Sequence, residues 1–259
     1  MTPWVRRLLF TNVAVFVVAP PPFGLLGLLP PAIIEATWLV PALVPLRPWT
    51  VLTYQFLHAG ALHLLFNMIG LFFFGPHLEA RIGSRHFLGL YLVSGVFGAI
   101  LSVVTPSAAI VGASGAVFGV FLGFARYWPN ERVYIWGILP VPARILVIGL
   151  AVMSIWGGMG VGGGGMGIAH FAHLGGFVGG WLYLVLLERN SPARRFRAQV
   201  EAATPVKPGG KDLSRWESVD RQGLHPLNRE EFERLLEKAR HLGSPSLTAQ
   251  ERAFMERFT

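Results

Sequence analysis

Six long apolar stretches constrain this chain more than any other feature. Each is long enough to cross the hydrocarbon core of a bilayer, which takes about 20 residues of helix. They lie at roughly 8–29, 51–74, 87–104, 108–125, 143–161 and 168–187. Hydrophobic residues make up 53% of the chain and charged residues only 14%, a balance that excludes an ordinary soluble domain. We therefore expect an all-α fold, a polytopic membrane bundle of six transmembrane helices.

The first stretch has the flanking charge of a signal peptide but not its other features. Arg6 and Arg7 precede it, yet no small-residue cleavage site follows, and further spans come after it. We interpret it as a membrane anchor. The prolines at 20–22 should bend or shorten this helix.

The basic residues are distributed as topology signals rather than as a nucleic-acid patch, although the net charge is +8. Loops that should face the cytoplasm hold Arg6, Arg7, Arg81, Arg85, Arg126, Arg132 and Arg144. The opposite loops hold Arg47 and no Lys or Arg at 105–112 or 157–167. By the positive-inside rule, we expect a multi-pass protein of the cell (inner) membrane with both termini in the cytoplasm and no nucleic-acid partner.

A change in composition near residue 188 divides the chain into a membrane domain, 1–187, and a charged tail, 188–259. The tail opens with a basic run that suits anionic lipid headgroups: Arg189, Arg194, Arg195 and Arg197. A Pro/Gly linker at 204–210 follows. Asn228 with Glu231 and Thr248 with Glu251 have the spacing of capping boxes, so we expect a cytosolic helical hairpin, whose role the sequence does not indicate.

Three groups of polar residues lie inside the predicted spans, where polar side chains are costly and are candidates for function. The second span holds His63 and Asn67, the fourth opens with Gly112-Ala113-Ser114-Gly115, and the sixth holds His173. The charge-derived topology starts all three spans at the outer face, so the three groups should share one depth.

This set is suited to nucleophilic serine catalysis, which needs a base within hydrogen-bond reach and donors for the oxyanion. Ser114 would be the nucleophile and His173 its general base. His63 and Asn67 are four residues apart and share one helix face, so both could donate to an oxygen near Ser114. The backbone N–H of Ser114 would be a third donor, and Gly112 leaves room for a substrate backbone.

Small residues at four-residue intervals would let the fourth and sixth spans approach closely. One row is Gly115, Gly119 and Gly123, and the other is Ala172, Gly176 and Gly180. Phe118 could stack on the His173 imidazole and orient it. No Asp lies in any span, so we expect a dyad rather than a triad.

With these residues in view, the chain resembles the rhomboid family of intramembrane serine proteases, bacterial type, over roughly residues 5–187. The resemblance rests on Gly-x-Ser-Gly at 112–115, on His58, His63 and Asn67, and on Ala172, His173, Gly176 and Gly180. It implies a six-helix core that hydrolyses peptide bonds in or near transmembrane segments, and a first loop, 30–50, partly inserted in the outer leaflet. The Trp-Arg that is common in that loop is here Arg47-Pro48-Trp49. Transmembrane protein substrates and membrane lipids would be the partners; the oligomeric state is left open.

Other interpretations remain. Five histidines in the membrane region could indicate a metal or haem protein, but the spacing contains no His-Glu-x-x-His, and we expect no metal or cofactor. A catalytically silent rhomboid-like factor that binds membrane proteins is the alternative function. His58 should lie on another face with a structural role, and His170 is a weaker candidate base than His173. The glycine-rich segment 157–165 is equally a linker or a cap over the site.

Overall fold

The computed structural model describes residues 1–135, 137–159, 167–190 and 211–259, and it divides into two compact units, 1–188 and 189–259. The first unit is a helical bundle, as expected for the all-α class. Its helices are α1 Pro3–Val18, α2 Pro31–Thr37, α3 Thr50–Thr53, α4 Ala61–Ile82, α5 Ser84–Leu101, α6 Ser114–Tyr127, α7 Ala143–Gly158 and α8 Gly167–Arg189. The second unit holds α9 Lys211–Glu217, α10 Pro226–Leu242 and α11 Ala249–Glu256.

Three helical segments of the described chain are long and apolar enough to cross a bilayer: Ala61–Ile82, Ser84–Val104 and His170–Arg189. The other predicted spans correspond to shorter helices, α1 with 16 residues, α6 with 14 and α7 with 16. The six crossings therefore stay a prediction from the sequence. The first span is shortened as expected, because α1 ends at Val18, before the prolines at 20–22.

The core of the bundle lies where α1, α4, α5, α6 and α8 meet. Leu71, Phe87, Leu90, Val120 and Leu184 are among its fully buried side chains. This core fixes α6 against its neighbours and thereby fixes the position of the residue that begins it, Ser114.

The buried carboxylate of Glu79 joins α4 to the start of α1. It accepts hydrogen bonds from the backbone N–H groups of Trp4 (3.0 Å) and Val5 (3.0 Å) and from the Ser84 hydroxyl (2.7 Å). The first amides of a helix have no partner within the helix, so Glu79 caps α1 from a distance of 75 residues in sequence. No local pattern in the sequence indicates this contact.

The segment between α1 and α4 is held together by side chains that donate to backbone carbonyls. The Arg47 guanidinium donates to Glu35 (2.9 Å), and the Trp49 indole donates to Ala36 (2.7 Å). Arg47 and Trp49 therefore fasten this loop to α2.

A two-stranded antiparallel hairpin lies between α6 and α7, where the charge pattern predicted only a cytoplasmic loop. Strand β1, Arg132–Ile135, pairs with β2, Leu139–Pro142. The β-branched residues of β1 favour an extended chain, and Gly137, with φ +72°, forms the turn.

The second unit has a core of its own, formed by Trp216, Phe232, Leu235, Leu236, Ala239, Leu247 and Met255. The capping box predicted at Thr248 and Glu251 is present at the start of α11. The one predicted at Asn228 is wrong, because α10 already begins at Pro226, which has no N–H and fits the first helical position. Helix α9 adds a third helix to the expected pair. The basic run at 194–197 and the linker at 204–210 lie outside the described residues.

Candidate active site

Ser114 is the first residue of α6, and an extended segment before it fixes its position. Ile110 exchanges backbone hydrogen bonds with Leu39 (2.8 and 3.0 Å), and the Gly112 N–H donates to the Tyr54 carbonyl (3.0 Å). Gly112 has a φ of +124°, which L side chains rarely adopt. The Ser114 hydroxyl therefore stands at a helix start, beside backbone N–H groups that lack carbonyl partners within the helix.

His63 has one ring nitrogen engaged and the other facing Gly112. Its Nδ1 accepts a hydrogen bond from the Ala59 backbone N–H (3.3 Å), so the proton of the neutral ring is on Nε2. A Cβ on Gly112 would lie 2.7 Å from that Nε2. Only glycine fits there, and the free donor of His63 is directed at the segment that leads into Ser114.

Asn67 lies one turn further along α4 on the same face. Its side-chain amide donates to the His63 carbonyl (2.9 Å), and this bond fixes the side chain against the helix. Because a side-chain amide has two N–H donors, one donor remains. The side chain is buried but lines the same cavity as Ser114.

Phe118 lies against His173. The two rings are stacked, with centroids 4.1 Å apart and planes 16° from parallel. Phe118 follows Ser114 by one helical turn, so α6 carries both the serine and the aromatic ring that faces the histidine.

Glycines bring α6 and α8 into close contact. A Cβ on Gly176 would lie 2.7 Å from the carbonyl carbon of Gly115, and one on Gly180 would lie 2.9 Å from the Cα of Gly119. Gly123 was expected to continue this row, but it faces Leu78 instead (2.6 Å), so the contact with α8 uses two of the three glycines.

The other two histidines near the site differ in their positions. His58 is fully buried, and its ring meets that of His63 edge-on at 5.2 Å. The expectation of a different helix face is wrong, because α4 begins at Ala61 and His58 precedes it. His170 packs against Gly157 of α7 and does not line the cavity.

A cavity of about 1180 Å³ joins the candidate residues. His63, Asn67, Ser114, Phe118 and His173 line one end. Aromatic and aliphatic side chains line its middle, including Phe66, Phe73, Phe74, Val117 and Phe121. The other end is polar again, with His77, Glu131 and Arg132. The arrangement can hold an extended apolar chain with a reactive polar group at one end.

Two contributors to this site were missed from the sequence. Tyr54 is buried, donates to the Gly95 carbonyl (2.7 Å) and accepts from Gly112 through its own carbonyl. An aromatic residue in an apolar stretch gives no signal of this. The β1–β2 hairpin lines the far end of the cavity, and only its β-branched residues could have indicated it.

No group of three or more His, Cys, Asp or Glu side chains suited to a metal ion occurs within the residues described. Segment 160–166, most of the possible cap, lies outside them.

Comparison with known proteins gives consistent matches. The profile of the Rhomboid domain matches residues 45–190, more than half of the chain. RHOMBOID-like protein 4 of Arabidopsis thaliana is 38% identical over 148 residues, which cover 54% of this chain and 34% of that protein. The putative rhomboid protease YdcA of Bacillus subtilis is 47% identical over 75 residues, 28% of this chain and 38% of that protein. The rhomboid protease GluP of the same bacterium is 35% identical over 135 residues, 51% of this chain and 25% of that protein. The matched segments span half or less of each relative's length.

Proposed function

Because the chain belongs to the rhomboid family, we propose that this integral membrane protein is an intramembrane serine endopeptidase that cleaves transmembrane segments of other membrane proteins. The proposal depends chiefly on one observation: Ser114 and His173 line the same cavity as His63 and Asn67. Two relatives that carry the name rhomboid protease give further support.

In this mechanism the Ser114 hydroxyl attacks the scissile carbonyl carbon, and His173 takes the hydroxyl proton as general base. The tetrahedral intermediate then collapses, the C–N bond breaks, and His173 returns the proton to the leaving amine. Water, activated by the same imidazole, hydrolyses the acyl-enzyme and restores Ser114. Phe118, stacked on the ring, orients the imidazole where a carboxylate would do so in a triad.

The oxyanion would be stabilised by hydrogen-bond donors of the site. The Nε2–H of His63, the remaining amide hydrogen of Asn67 and the backbone N–H of Ser114 are the three candidates. Gly112 contributes by having no side chain, which leaves the His63 donor open to the substrate oxygen.

The shape of the cavity indicates how a substrate would bind. Its lining follows one face of α4 from His63 to His77, which are fourteen positions apart, or about 21 Å along the helix. A hydrogen-bonded helix hides its carbonyls from a nucleophile, so a transmembrane segment that unwinds readily near Ser114 is the favoured substrate. Cleavage would occur close to the outer face of the cell (inner) membrane, with both termini of the enzyme cytoplasmic.

The test is a pair of serine variants in the full chain, reconstituted in liposomes with a model transmembrane substrate. Ser114→Ala should lose both cleavage and labelling by a fluorophosphonate. Ser154→Ala, which removes a buried hydroxyl on α7 outside the cavity, should keep both. Cleavage by Ser114→Ala at the wild-type rate would refute the assignment. Absence of labelling of the wild type, with substrate still bound, would favour the silent binding factor.

A further inference from the structure

The β1–β2 hairpin exposes an apolar surface at the end of α6 opposite Ser114. The exposed fractions of Tyr134, Ile138 and Leu139 are 58%, 83% and 58%. No charged residue occurs between Arg132 and Arg144. A connection that faces water is normally polar, so this composition indicates that the hairpin does not project into bulk water.

The outer edge of β2 also lacks backbone donors. Leu139 and Val141 stand opposite Ile135 and Val133 of β1. Alternate residues of a strand face the same side, and Ala143, two residues after Val141, likewise donates its N–H to the Glu131 carbonyl (2.8 Å). The positions whose amides would point outward are Pro140 and Pro142, and proline has no N–H. An edge without unpaired N–H groups costs less to place in a medium of low polarity.

The charges that flank this surface and its continuity with α7 indicate that membrane lipid covers it. Arg132 and Arg144, both exposed, flank the apolar segment, and anionic lipid headgroups attract such residues. The hairpin leads directly into α7, whose exposed Ile145, Ile148 and Val152 continue the apolar surface. Tyr134 has the amphipathic ring that is enriched where a membrane meets water.

We propose that the hairpin formed by β1 and β2 is a lipid-interface anchor. Its tip enters the boundary between headgroups and acyl chains in the leaflet away from Ser114, and Arg132 and Arg144 bind anionic headgroups. This contact is independent of the proposed protease activity. Because β1 also lines the far end of the cavity, the anchor would hold that wall and the start of α7 at a fixed depth.

The chain has no cysteine, so a single introduced thiol reports one site. Full-length Ile138→Cys, labelled with an environment-sensitive fluorophore, is reconstituted in vesicles of phosphatidylethanolamine and phosphatidylglycerol. Val152→Cys in α7 is the lipid-facing reference, and Gln250→Cys in the second unit is the water-facing reference. Quenching is measured with iodide on both sides of the membrane and with spin-labelled lipids.

We expect spin-labelled lipids to quench the label at 138 as they quench the one at 152, with protection from iodide. Iodide quenching equal to that of the label at 250 would overturn the proposal, because the hairpin would then be in water. Protection from both quenchers would also overturn it, because protein would then cover the hairpin.

The headgroup contact is tested separately by Arg132→Gln combined with Arg144→Gln in the Ile138→Cys background. We expect weaker lipid quenching in vesicles with phosphatidylglycerol and no change in vesicles of phosphatidylcholine alone. An unchanged profile in the anionic vesicles would refute the role of the two arginines.

Discussion

The aromatic ring of Phe118 lies parallel to the imidazole of His173, with centroids 4.1 Å apart. The two residues belong to α6 and α8, so the stack couples the helix that carries the serine to the helix that carries the base. An imidazole without a carboxylate partner needs another restraint on its orientation. The stack on Phe118 supplies such a restraint.

Removing the ring should therefore lower turnover without abolishing it. Ring stacking is worth about 0.5–1.5 kcal/mol, so Phe118→Leu should reduce kcat by roughly 2- to 13-fold with little change in KM. Phe118→Tyr, which keeps the ring, should stay near the wild type. Cleavage kinetics on a transmembrane substrate measure both. A Phe118→Leu enzyme with unchanged kcat would show that the stack does not orient His173.

Gly112→Ala should lower kcat by more than its backbone strain alone explains. The new Cβ would stand 2.6 Å from Cε1 of His63 and displace the ring. Loss of one oxyanion donor costs on the order of 100-fold in kcat.

Gly83→Ala is the matched control, because φ is +85° there and nothing lies within 4 Å of a Cβ. It should cost roughly 1–3 kcal/mol of stability, because Gly83 has φ 85° and ψ 153°, a combination that residues with a Cβ rarely adopt, but it should leave fluorophosphonate labelling unchanged. Equal labelling rates in the two variants would contradict the proposed position of His63.

The contact between α6 and α8 should not tolerate a methyl group. In Gly176→Ala the Cβ would overlap the Gly115 carbonyl group, and such overpacking typically costs about 1–3 kcal/mol. Gly149→Ala in α7 meets no atom within 4 Å and should be neutral or stabilising. Thermal unfolding in detergent compares the two variants. The same Tm for both variants would mean that α6 and α8 can move apart without loss of stability.

Much of this architecture follows from local patterns in the sequence. The apolar stretches predicted a helical membrane protein, and Ser114, His63, Asn67 and His173 do line one cavity. Their chemical roles remain predictions, since position alone does not establish catalysis.

The features that were missed depend on contacts between distant residues. The carboxylate of Glu79 meets amides 75 residues away, and no local pattern records such a partner. The predicted helix boundaries were wrong for a related reason. Ile110 pairs with Leu39, so the chain is extended there and α6 begins only at Ser114, although the apolar stretch is continuous in sequence. His58 was misplaced because the start of α4 lay three residues further on.

Replacement of Glu79 should loosen the start of α1. Glu79→Gln keeps the size of the side chain and can keep one oxygen within reach of both backbone N–H groups, since those of Trp4 (3.1 Å) and Val5 (3.0 Å) both donate to Oε2. The acceptor is then neutral, and hydrogen bonds to a charged group are about twice as strong as neutral ones, so the two weakened bonds should together cost about 1–3 kcal/mol. Ser84→Ala removes only the hydroxyl that bonds the same carboxylate and should cost about 1 kcal/mol. Hydrogen exchange of the α1 amides, followed by mass spectrometry, measures the opening. Faster exchange in Ser84→Ala than in Glu79→Gln would argue against the cap.

The stability of the second unit should depend on pH through Glu251. The Lys238 ammonium, which donates to both carboxylate oxygens, and the Thr248 N–H lower the pKa of Glu251 to about 2 from its ordinary 4.5. A carboxyl whose pKa is depressed by folding stabilises the folded state above its unfolded pKa and loses that contribution as the pH falls through the folded value. The free energy of unfolding of residues 211–259, measured in the full chain by hydrogen exchange, should therefore decline between pH 4.5 and about 2.

In Glu251→Gln this part of the decline should disappear, whereas Glu256→Gln, which replaces an exposed carboxyl of the same helix, should keep it. An identical pH dependence in Glu251→Gln and the wild type would show that the pairing with Lys238 does not contribute to the stability of this unit.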